Sequence, residues 1–121
     1  MEEVISFVLH RIHDIVENGT YGEHYTIMDR EKNKALRRKY YVTDSKVRDI
    51  LRHLEKTDFI ESRKSNHEWF PEDTVYIFCE SVKLRPRFVE EAEEEIVKLY
   101  IKIVLADDAP MFVISLHEAE Y

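Results

Sequence analysis

Cationic side chains are the residues of this sequence best suited to bind a ligand, and most of them lie near the middle of the chain. Residues 30–64 include 12 lysines and arginines and 6 acids, which gives this segment a charge of +6. The whole chain of 121 residues has a charge of −7, so the residues outside this segment carry −13. A basic segment within an acidic chain is typical of a protein that binds nucleic acid through one restricted surface.

An amphipathic helix is predicted inside this basic segment, over residues 44–57. Apolar residues recur at helical spacing from Val47 to Leu54, and lysines and arginines occupy the opposite side. A side-chain oxygen of Thr43 or Asp44 can accept a hydrogen bond from the free amides of the first turn, which marks the start of the helix. The basic side of this helix is therefore the first candidate for contact with a ligand.

The residues in and around this helix resemble the sequence pattern of winged helix-turn-helix proteins. The matching positions are Val42, Thr43, Val47, Arg48, Leu51, Leu54, Glu55, Phe59 and Ile60. The resemblance is to transcriptional regulators such as those of the GntR, MarR and ArsR groups. It implies an α+β fold, in which a recognition helix is followed by a β-hairpin wing, and sequence-specific binding of double-stranded DNA.

The resemblance also implies which side chains contact DNA. The N-terminal half of the recognition helix would enter the major groove, where Lys46 and Arg48 are best suited to donate hydrogen bonds to guanine. Arg52 and the basic run 37–39 are expected to meet phosphates, as are the cations of the wing. The full predicted DNA-binding set is Arg37, Arg38, Lys39, Thr43, Asp44, Ser45, Lys46, Arg48, Asp49, Arg52, Arg63 and Lys64.

Two further helices and a short strand complete the predicted winged-helix domain over residues 1–85. Apolar residues at helical spacing predict a first helix over 2–18, which Asn18 and Gly19 terminate. A second helix is predicted over 30–41. The strand is predicted at 25–28, where many winged helices use a first strand to anchor the wing.

The wing itself is predicted at 61–73, between a strand that begins at Phe59 and a strand at 74–79. Trp69 and Phe70 fall within the wing. Because aromatic rings of this size seldom stay fully exposed, we expect them to fold back onto the sheet or onto a partner subunit.

A long C-terminal helix is predicted over residues 87–106, within a second segment that spans 86–121. Apolar residues recur there at the alternating spacing of three and four that forms the seam of a coiled coil. The predicted dimerisation residues are Val89, Ala92, Ile96, Leu99, Tyr100 and Ile103. A two-fold homodimer is the expected outcome, and a helix that caps a monomer is the alternative. A final strand at 111–116 would pair with its mate in the dimer or pack beside the first helix.

Motifs of several other functional classes are missing from the sequence. There is no glycine-rich phosphate loop, no Cys-x-x-Cys and no His-Glu-x-x-His, so we expect neither an enzyme nor a bound cofactor. His10 and His13 are three residues apart, but no further ligands accompany them, so no metal site is predicted. Cys79, the single cysteine, is expected to be a buried and unreactive thiol. Without an apolar run of about 18 residues or a signal peptide, a cytoplasmic location is expected.

The sequence therefore predicts a DNA-binding transcriptional regulator that forms a homodimer. Two alternatives remain open at this point. One is a winged-helix module that binds a protein of the transcription or replication machinery, with its acidic C-terminal helix as the docking surface. The other is a small ligand-sensing regulator, with a pocket between the C-terminal helix and the wing near Trp69 and Tyr100.

Overall fold

The structure, a computed structural model, describes residues 2–64, 74–105 and 110–120. Within these ranges it contains three helices and five strands, which confirms the predicted α+β class. The helices are α1 (Glu2–Asn18), α2 (Glu31–Lys39) and α3 (Asp44–Arg52), and a short 3₁₀ turn follows at Lys56–Asp58. The strands are β1 (Tyr25–Ile27), β2 (Phe59–Lys64), β3 (Thr74–Leu84), β4 (Glu95–Val104) and β5 (Met111–Glu118).

All five strands belong to one sheet, in the order β1-β5-β4-β3-β2. The strands β2, β3, β4 and β5 form a continuous antiparallel series, whereas β1 pairs in parallel with β5 at the far edge. The predicted strand at 25–28 is thus present, but it does not anchor the wing, because β5, β4 and β3 lie between it and β2. The final strand, β5, pairs with β1 and β4 of its own chain rather than with the final strand of a second copy.

The three helices cover one face of the sheet and form the main hydrophobic core with it. Side chains alternate along β4, so that Leu99, Ile101 and Ile103 are fully buried in this core. Helix α1 packs against α3, and α2 packs on β5. Burial of each such aliphatic side chain contributes about 1.5–3 kcal/mol, so this face is the one that stabilises the fold.

The recognition-helix candidate α3 forms for the reasons that its sequence suggests. Thr43 Oγ1 accepts a hydrogen bond from the Lys46 amide at 3.1 Å, which satisfies one free donor of the first turn. Val47 and Leu51 are completely buried on the opposite side. The helix ends at Arg52 rather than near residue 57, because the chain tightens into the 3₁₀ turn at Lys56–Asp58.

The predicted helix over 87–106 is wrong. Residues 88–94 form a loop, and β4 follows from Glu95 to Val104. The segment 97–103 alternates apolar with polar or aromatic residues, and β4 is rich in isoleucine and valine, which suits a strand. Hydrogen bonds to β3 on one side and β5 on the other decide its conformation. Pro86, expected at the start of that helix, instead lies in an isolated bridge opposite Tyr40.

The residues predicted to form the dimer seam consequently share no common surface. Leu99 and Ile103 are buried in the core beneath the helices. Ile96 and Tyr100 lie on the other face of the same strand, because side chains alternate along it. Val89 and Ala92 belong to the loop that precedes β4. The predicted dimer contact through a helix over 87–106 therefore does not hold, because residues 95–104 form a strand.

The hairpin β2–β3 confirms the two strands predicted on either side of the wing. Residues 65–73, which include Trp69 and Phe70, lie outside the described residues, so the fold-back of these two rings stays a prediction. No helix in the ranges 2–64, 74–105 and 110–120 is long and apolar enough to cross a lipid bilayer.

Candidate functional site

The predicted DNA-binding side chains of α3 lie at the surface, but acids surround them. Arg48 and Arg52 both form ion pairs with Glu17 of α1, at 3.6 Å and 3.5 Å. Arg52 also reaches Asp49, at 3.4 Å. Lys46 lies in a cleft that Glu94 helps to line. The positive potential of this helix is therefore partly neutralised by carboxylates of the same molecule.

The cations of α2 show the same pattern. Arg37 pairs with Asp44 at 3.3 Å, and Arg38 pairs with Glu31. Lys39 donates to both carboxylate oxygens of Glu118 at 3.2 Å, and this hydrogen bond raises the pKa of Lys39. In the wing, Arg63 pairs with Glu61 at 3.3 Å. Most of the predicted DNA-binding cations thus have an acidic neighbour within the chain. Of the remaining residues in the predicted set, Ser45 is exposed, while Thr43 caps α3 and Lys64 ends β2.

A different group of cations lies on the face of the sheet that the helices do not cover, which we call the open face. There, a cavity of about 270 Å³ is lined largely by basic, hydroxyl and ring side chains. Its lining residues are Arg30, Lys32, Tyr100, Lys102, Ser115, His117 and Glu120. Two of these residues, Lys32 and Glu120, form an ion pair with each other, and both side chains are mostly exposed. We call this cavity the open-face site.

Strand pairing explains how four of these side chains meet. Tyr100 and Lys102 are two residues apart on β4, so both point to the open face. On β5, His117 lies directly opposite Tyr100, and Ser115 lies opposite Lys102. Directly opposite residues in an antiparallel pair have Cβ atoms about 5 Å apart, so the four side chains form two adjacent rows.

A β-bulge adjusts the register of this pairing. Lys102 pairs with Ser115 but Ile103 pairs with Val113, which leaves Ile114 as an extra residue on β5. Because of the bulge, Ser115 and His117 lie on the open face, and so does Phe112 on the other side of the extra residue. Bulges frequently redirect side chains next to functional sites.

The buried side chain of Asn33 fixes the bulge to α2. Its amide nitrogen donates to the carbonyl oxygens of Ile114 at 2.9 Å and Met28 at 3.0 Å. Its side-chain oxygen accepts from the Leu116 amide at 2.8 Å. Arg30 precedes α2, and its guanidinium donates to the Ile114 carbonyl at 3.4 Å and to Ser115 Oγ at 3.3 Å. Asn33 therefore holds in place the strand segment that presents Ser115 and positions Arg30.

The electrostatics of the open-face site differ from those of α3. Lys102 is partly buried, and its pKa is lowered, first by burial and then by the positive charges of Arg63 and Arg30. Within the part of the chain that the structure describes, Lys102 has no ion pair. A crowded ammonium group without an acidic partner is stabilised when an anion binds beside it. The site therefore has the charge of an anion-binding site.

The two rings of the open-face site are stacked. The centroids of Tyr100 and His117 lie 5.3 Å apart, with 19° between the ring planes. His117 Nδ1 lies 2.9 Å from the Glu118 carbonyl oxygen, which can only accept a hydrogen bond. Nδ1 therefore carries a proton, and in the neutral ring Nε2 is the basic nitrogen. A stacked pair beside cations can take a flat heterocycle as well as an anion.

The described residues contain no cluster of side chains that could bind a metal ion. Among residues 2–64, 74–105 and 110–120, no group of three or more histidine, cysteine, aspartate or glutamate side chains could hold a metal ion. His13, one of the pair considered from the sequence, has Nε2 at 3.1 Å from the Leu54 carbonyl oxygen.

Sequence reasoning missed the open-face site. Arg30 was counted only as part of the basic segment, and Tyr100 was assigned to the dimer seam or to a pocket beside a helix. Tyr100 does line a cavity, but the helix that borders it is α2, which contributes Lys32, and not a helix over 87–106. The alternation Lys98, Tyr100, Lys102 was the available signal, since it places three polar or aromatic side chains on one face of a strand.

Comparisons with known proteins provide no relative: no family model, no curated protein and no solved structure matches this chain.

Proposed function

We propose that this protein binds single-stranded nucleic acid, RNA in particular, on the open face of its sheet. Arg30 and Lys102 would contact a phosphate, and Ser115 would add a hydroxyl donor. A base would stack beside Tyr100 and His117, since base stacking on aromatic rings contributes to most sequence-tolerant single-strand binding. The observation that carries this proposal is that Arg30 and Lys102 line one cavity with Tyr100 and His117, and that Lys102 has no ion pair among the described residues.

Cleavage of the bound RNA strand is a second candidate function, although the sequence predicts no enzyme. Nε2 of His117 is a base, and Lys102, with its lowered pKa, is a better acid than an ordinary lysine. In such a reaction the 2′-oxygen forms a bond to phosphorus while the bond from phosphorus to the 5′-oxygen breaks. The 2′-hydroxyl proton passes to the base, and the departing 5′-oxygen receives a proton from the acid. Arg30 would stabilise the charge that develops on the phosphate oxygens.

The function predicted from the sequence, binding of duplex DNA by a winged-helix transcriptional regulator, is the competing proposal. Its support is the capped helix α3 with its exposed N-terminal turn, followed by the β2–β3 hairpin. Duplex DNA would have to compete with Glu17 for Arg48 and Arg52. Glu94 of the loop 88–94 lines one cleft with Lys46, and its carboxylate would repel a phosphate there, although Lys83 and Arg85 line the same cleft. These acids make α3 the weaker candidate for phosphate binding.

The two proposals can be separated by binding measurements on matched pairs of variants. Fluorescence anisotropy would be measured with labelled single-stranded RNA, single-stranded DNA and duplex DNA at several salt concentrations. The double variant R30Q/K102Q removes two charges from the open face, and K46Q/R48Q removes two charges from α3. Circular dichroism would establish that both variants are folded.

We expect R30Q/K102Q to weaken RNA binding by about 100-fold, since two charge-assisted phosphate contacts are lost, and to reduce its salt dependence. K46Q/R48Q should bind RNA as the unchanged protein does. The opposite result, loss of duplex DNA binding in K46Q/R48Q alone, would support the regulator and overturn the single-strand proposal.

Cleavage is tested separately with a labelled RNA strand and its fully 2′-deoxy counterpart, in the presence of EDTA. The reaction described above needs the 2′-hydroxyl, so only the RNA strand should be cut. The variant H117A removes a stacking ring as well as the base, so cleavage is compared at RNA concentrations that saturate each protein, where it should fall by at least about 100-fold. An intact RNA strand after prolonged incubation would reject catalysis without affecting the binding proposal.

A further inference from the structure

The loop between β3 and β4 exposes large apolar side chains next to a run of acids. Phe88 is 91% exposed and Val89 is 59% exposed. Ile96, at the base of the loop on β4, is 75% exposed. Single exposed apolar residues are common on protein surfaces, but three within nine positions of one connecting segment form a patch that another molecule can cover.

Arg87, which directly precedes the exposed residues Phe88 and Val89, attaches the start of this loop to the C-terminal end of α2 through hydrogen bonds. Arg87 Nε donates to the carbonyl oxygens of Arg37 at 2.6 Å and Tyr40 at 3.1 Å, and the Arg87 amide donates to the Lys39 carbonyl at 2.9 Å. The Arg87 guanidinium also lies over the Tyr41 ring, 4.7 Å from its centroid. Phe88 and Val89 follow this anchor directly, so little conformational entropy is lost when a partner binds them.

The segment that carries these apolar residues is strongly acidic, although Lys83 and Arg85 lie beside it. Residues 88–96 contain five glutamates and no lysine or arginine. All five are exposed, and they are Glu90, Glu91, Glu93, Glu94 and Glu95. Five carboxylates repel phosphates, so a nucleic acid fits this segment less well than a basic partner does. A partner that complements this surface carries basic residues around an apolar strip.

We propose that segment 88–96 is a docking site for a basic amphipathic segment of a partner protein, with Phe88 and Val89 as the apolar anchors. The partner's apolar side chains cover Phe88, Val89 and Ile96, while its lysines or arginines pair with the glutamates. This surface is separate from the lining of the open-face site, so the inference does not depend on the proposed function.

The test uses a synthetic amphipathic peptide of leucine and lysine, about four helical turns long, with a fluorescent label. A peptide with glutamate in place of each lysine controls for charge, and a scrambled lysine peptide controls for amphipathicity. Binding to the full chain would be followed by anisotropy. Assigned amide spectra of the protein, whose mass is 14.6 kDa, would locate the peptide.

Three variants determine whether the binding has the proposed origin. F88S/V89S removes the anchors, and E90Q/E91Q removes two charges. F7S is the matched control, since Phe7 is also exposed but lies on α1. We expect F88S/V89S to weaken binding by about tenfold or more and E90Q/E91Q by about threefold, with F7S unchanged.

Amide shifts should concentrate at residues 85–96. Equal affinity of F88S/V89S and the unchanged protein would overturn the proposal, as would equal binding of the glutamate peptide or amide shifts centred on α1. Since every substituted residue is exposed, circular dichroism should show all three variants to be folded.

Discussion

Helix α3 and the open face of the sheet both present lysines and arginines, but different charges surround them. Acids lie beside the arginines of α3, whereas other cations lie near Lys102 on the open face. On α3, Arg48 and Arg52 share Glu17 as an ionic partner. On the open face, Lys102 lies near Arg30 and Arg63 and has no ion pair within the described residues. The comparison shows that the number of cations is a poor guide to an anion site. What matters is whether the fold leaves those cations without acids.

A buried acid near Lys46 of α3 strengthens this contrast between α3 and the open face. Glu80 of β3 is buried, and its Oε2 has no hydrogen-bond partner. Burial, followed by the negative charges of Asp58 and Glu55, raises the pKa of Glu80 to about 8, and Lys46 opposes this shift. Lys46 therefore lies near a group of carboxyls, whereas the pKa of Lys102 is shifted by burial and by two arginines.

The largest effect is expected from the replacement of Asn33 by alanine. The substitution removes three hydrogen bonds and leaves the Leu116 amide and the Met28 carbonyl without those partners in the interior. We expect the free energy of unfolding to fall by about 2–4 kcal/mol. RNA affinity should fall as well, because the bulge that orients Ser115 and Arg30 is released. Urea denaturation and anisotropy measure the two effects.

The matched control for this change is Asn18→Ala. The Asn18 side chain is exposed, and its two hydrogen bonds both go to Asp14 within α1. Its loss should cost no more than about 0.5 kcal/mol. If N33A were as mild as N18A, the bulge would not depend on Asn33, and the open face would be organised by the strands alone.

A smaller effect, which depends on pH, is expected at Glu80. The unfolded chain ionises this carboxyl near its ordinary pKa of 4.5, whereas the folded chain does so near 8. The folded chain therefore binds more protons between these values, and stability falls as the pH rises through this window. The variant E80Q should be more stable than the unchanged protein by about 1–2 kcal/mol at pH 8 and equal to it near pH 4.5.

Urea denaturation of both proteins at several pH values measures this difference. A difference in stability that stays constant from pH 4.5 to 8 would mean that Glu80 remains ionised in the fold. In that case, Lys46 would lie near a negatively charged carboxylate of Glu80 rather than a neutral carboxyl group. Its electrostatic surroundings would then differ even more from those of Lys102.

The smallest effect is expected from E17Q, which frees Arg48 and Arg52 from their shared partner. Because both ion pairs are exposed, stability should change by no more than about 0.5 kcal/mol. Duplex DNA affinity should rise by a few-fold if α3 meets DNA, and RNA affinity should stay constant. A rise in RNA affinity instead would show that the strand binds across α3, contrary to the proposed site.

Local signals in the sequence were sufficient for several elements. The apolar stripe of α1, a cap at Thr43 or Asp44 and strands that begin at residues 59 and 74 all depend on neighbouring residues. The structure has α1, the Thr43 cap and both strands, although β3 continues beyond residue 79 to Leu84. The segment after Pro86 was predicted wrongly because its apolar residues fit both a helical seam and an alternating strand. The choice between them depends on β3 and β5, which lie on either side of β4 in the sheet.

The sequence by itself determined the α+β class, the amphipathic helix near residue 47 and the basic segment around it, because each of these follows from short-range spacing or composition. Only the tertiary structure decided which cations stand apart from acids. The partners of Arg48 and of Arg37 come from distant or unforeseen positions, and the open-face site joins Arg30 to Lys102 and His117 across more than 70 residues of chain. An ion pair depends on distance in space. The packing of the helices sets that distance for Arg48 and Arg37, and the pairing of β4 with β5 brings Lys102 close to His117.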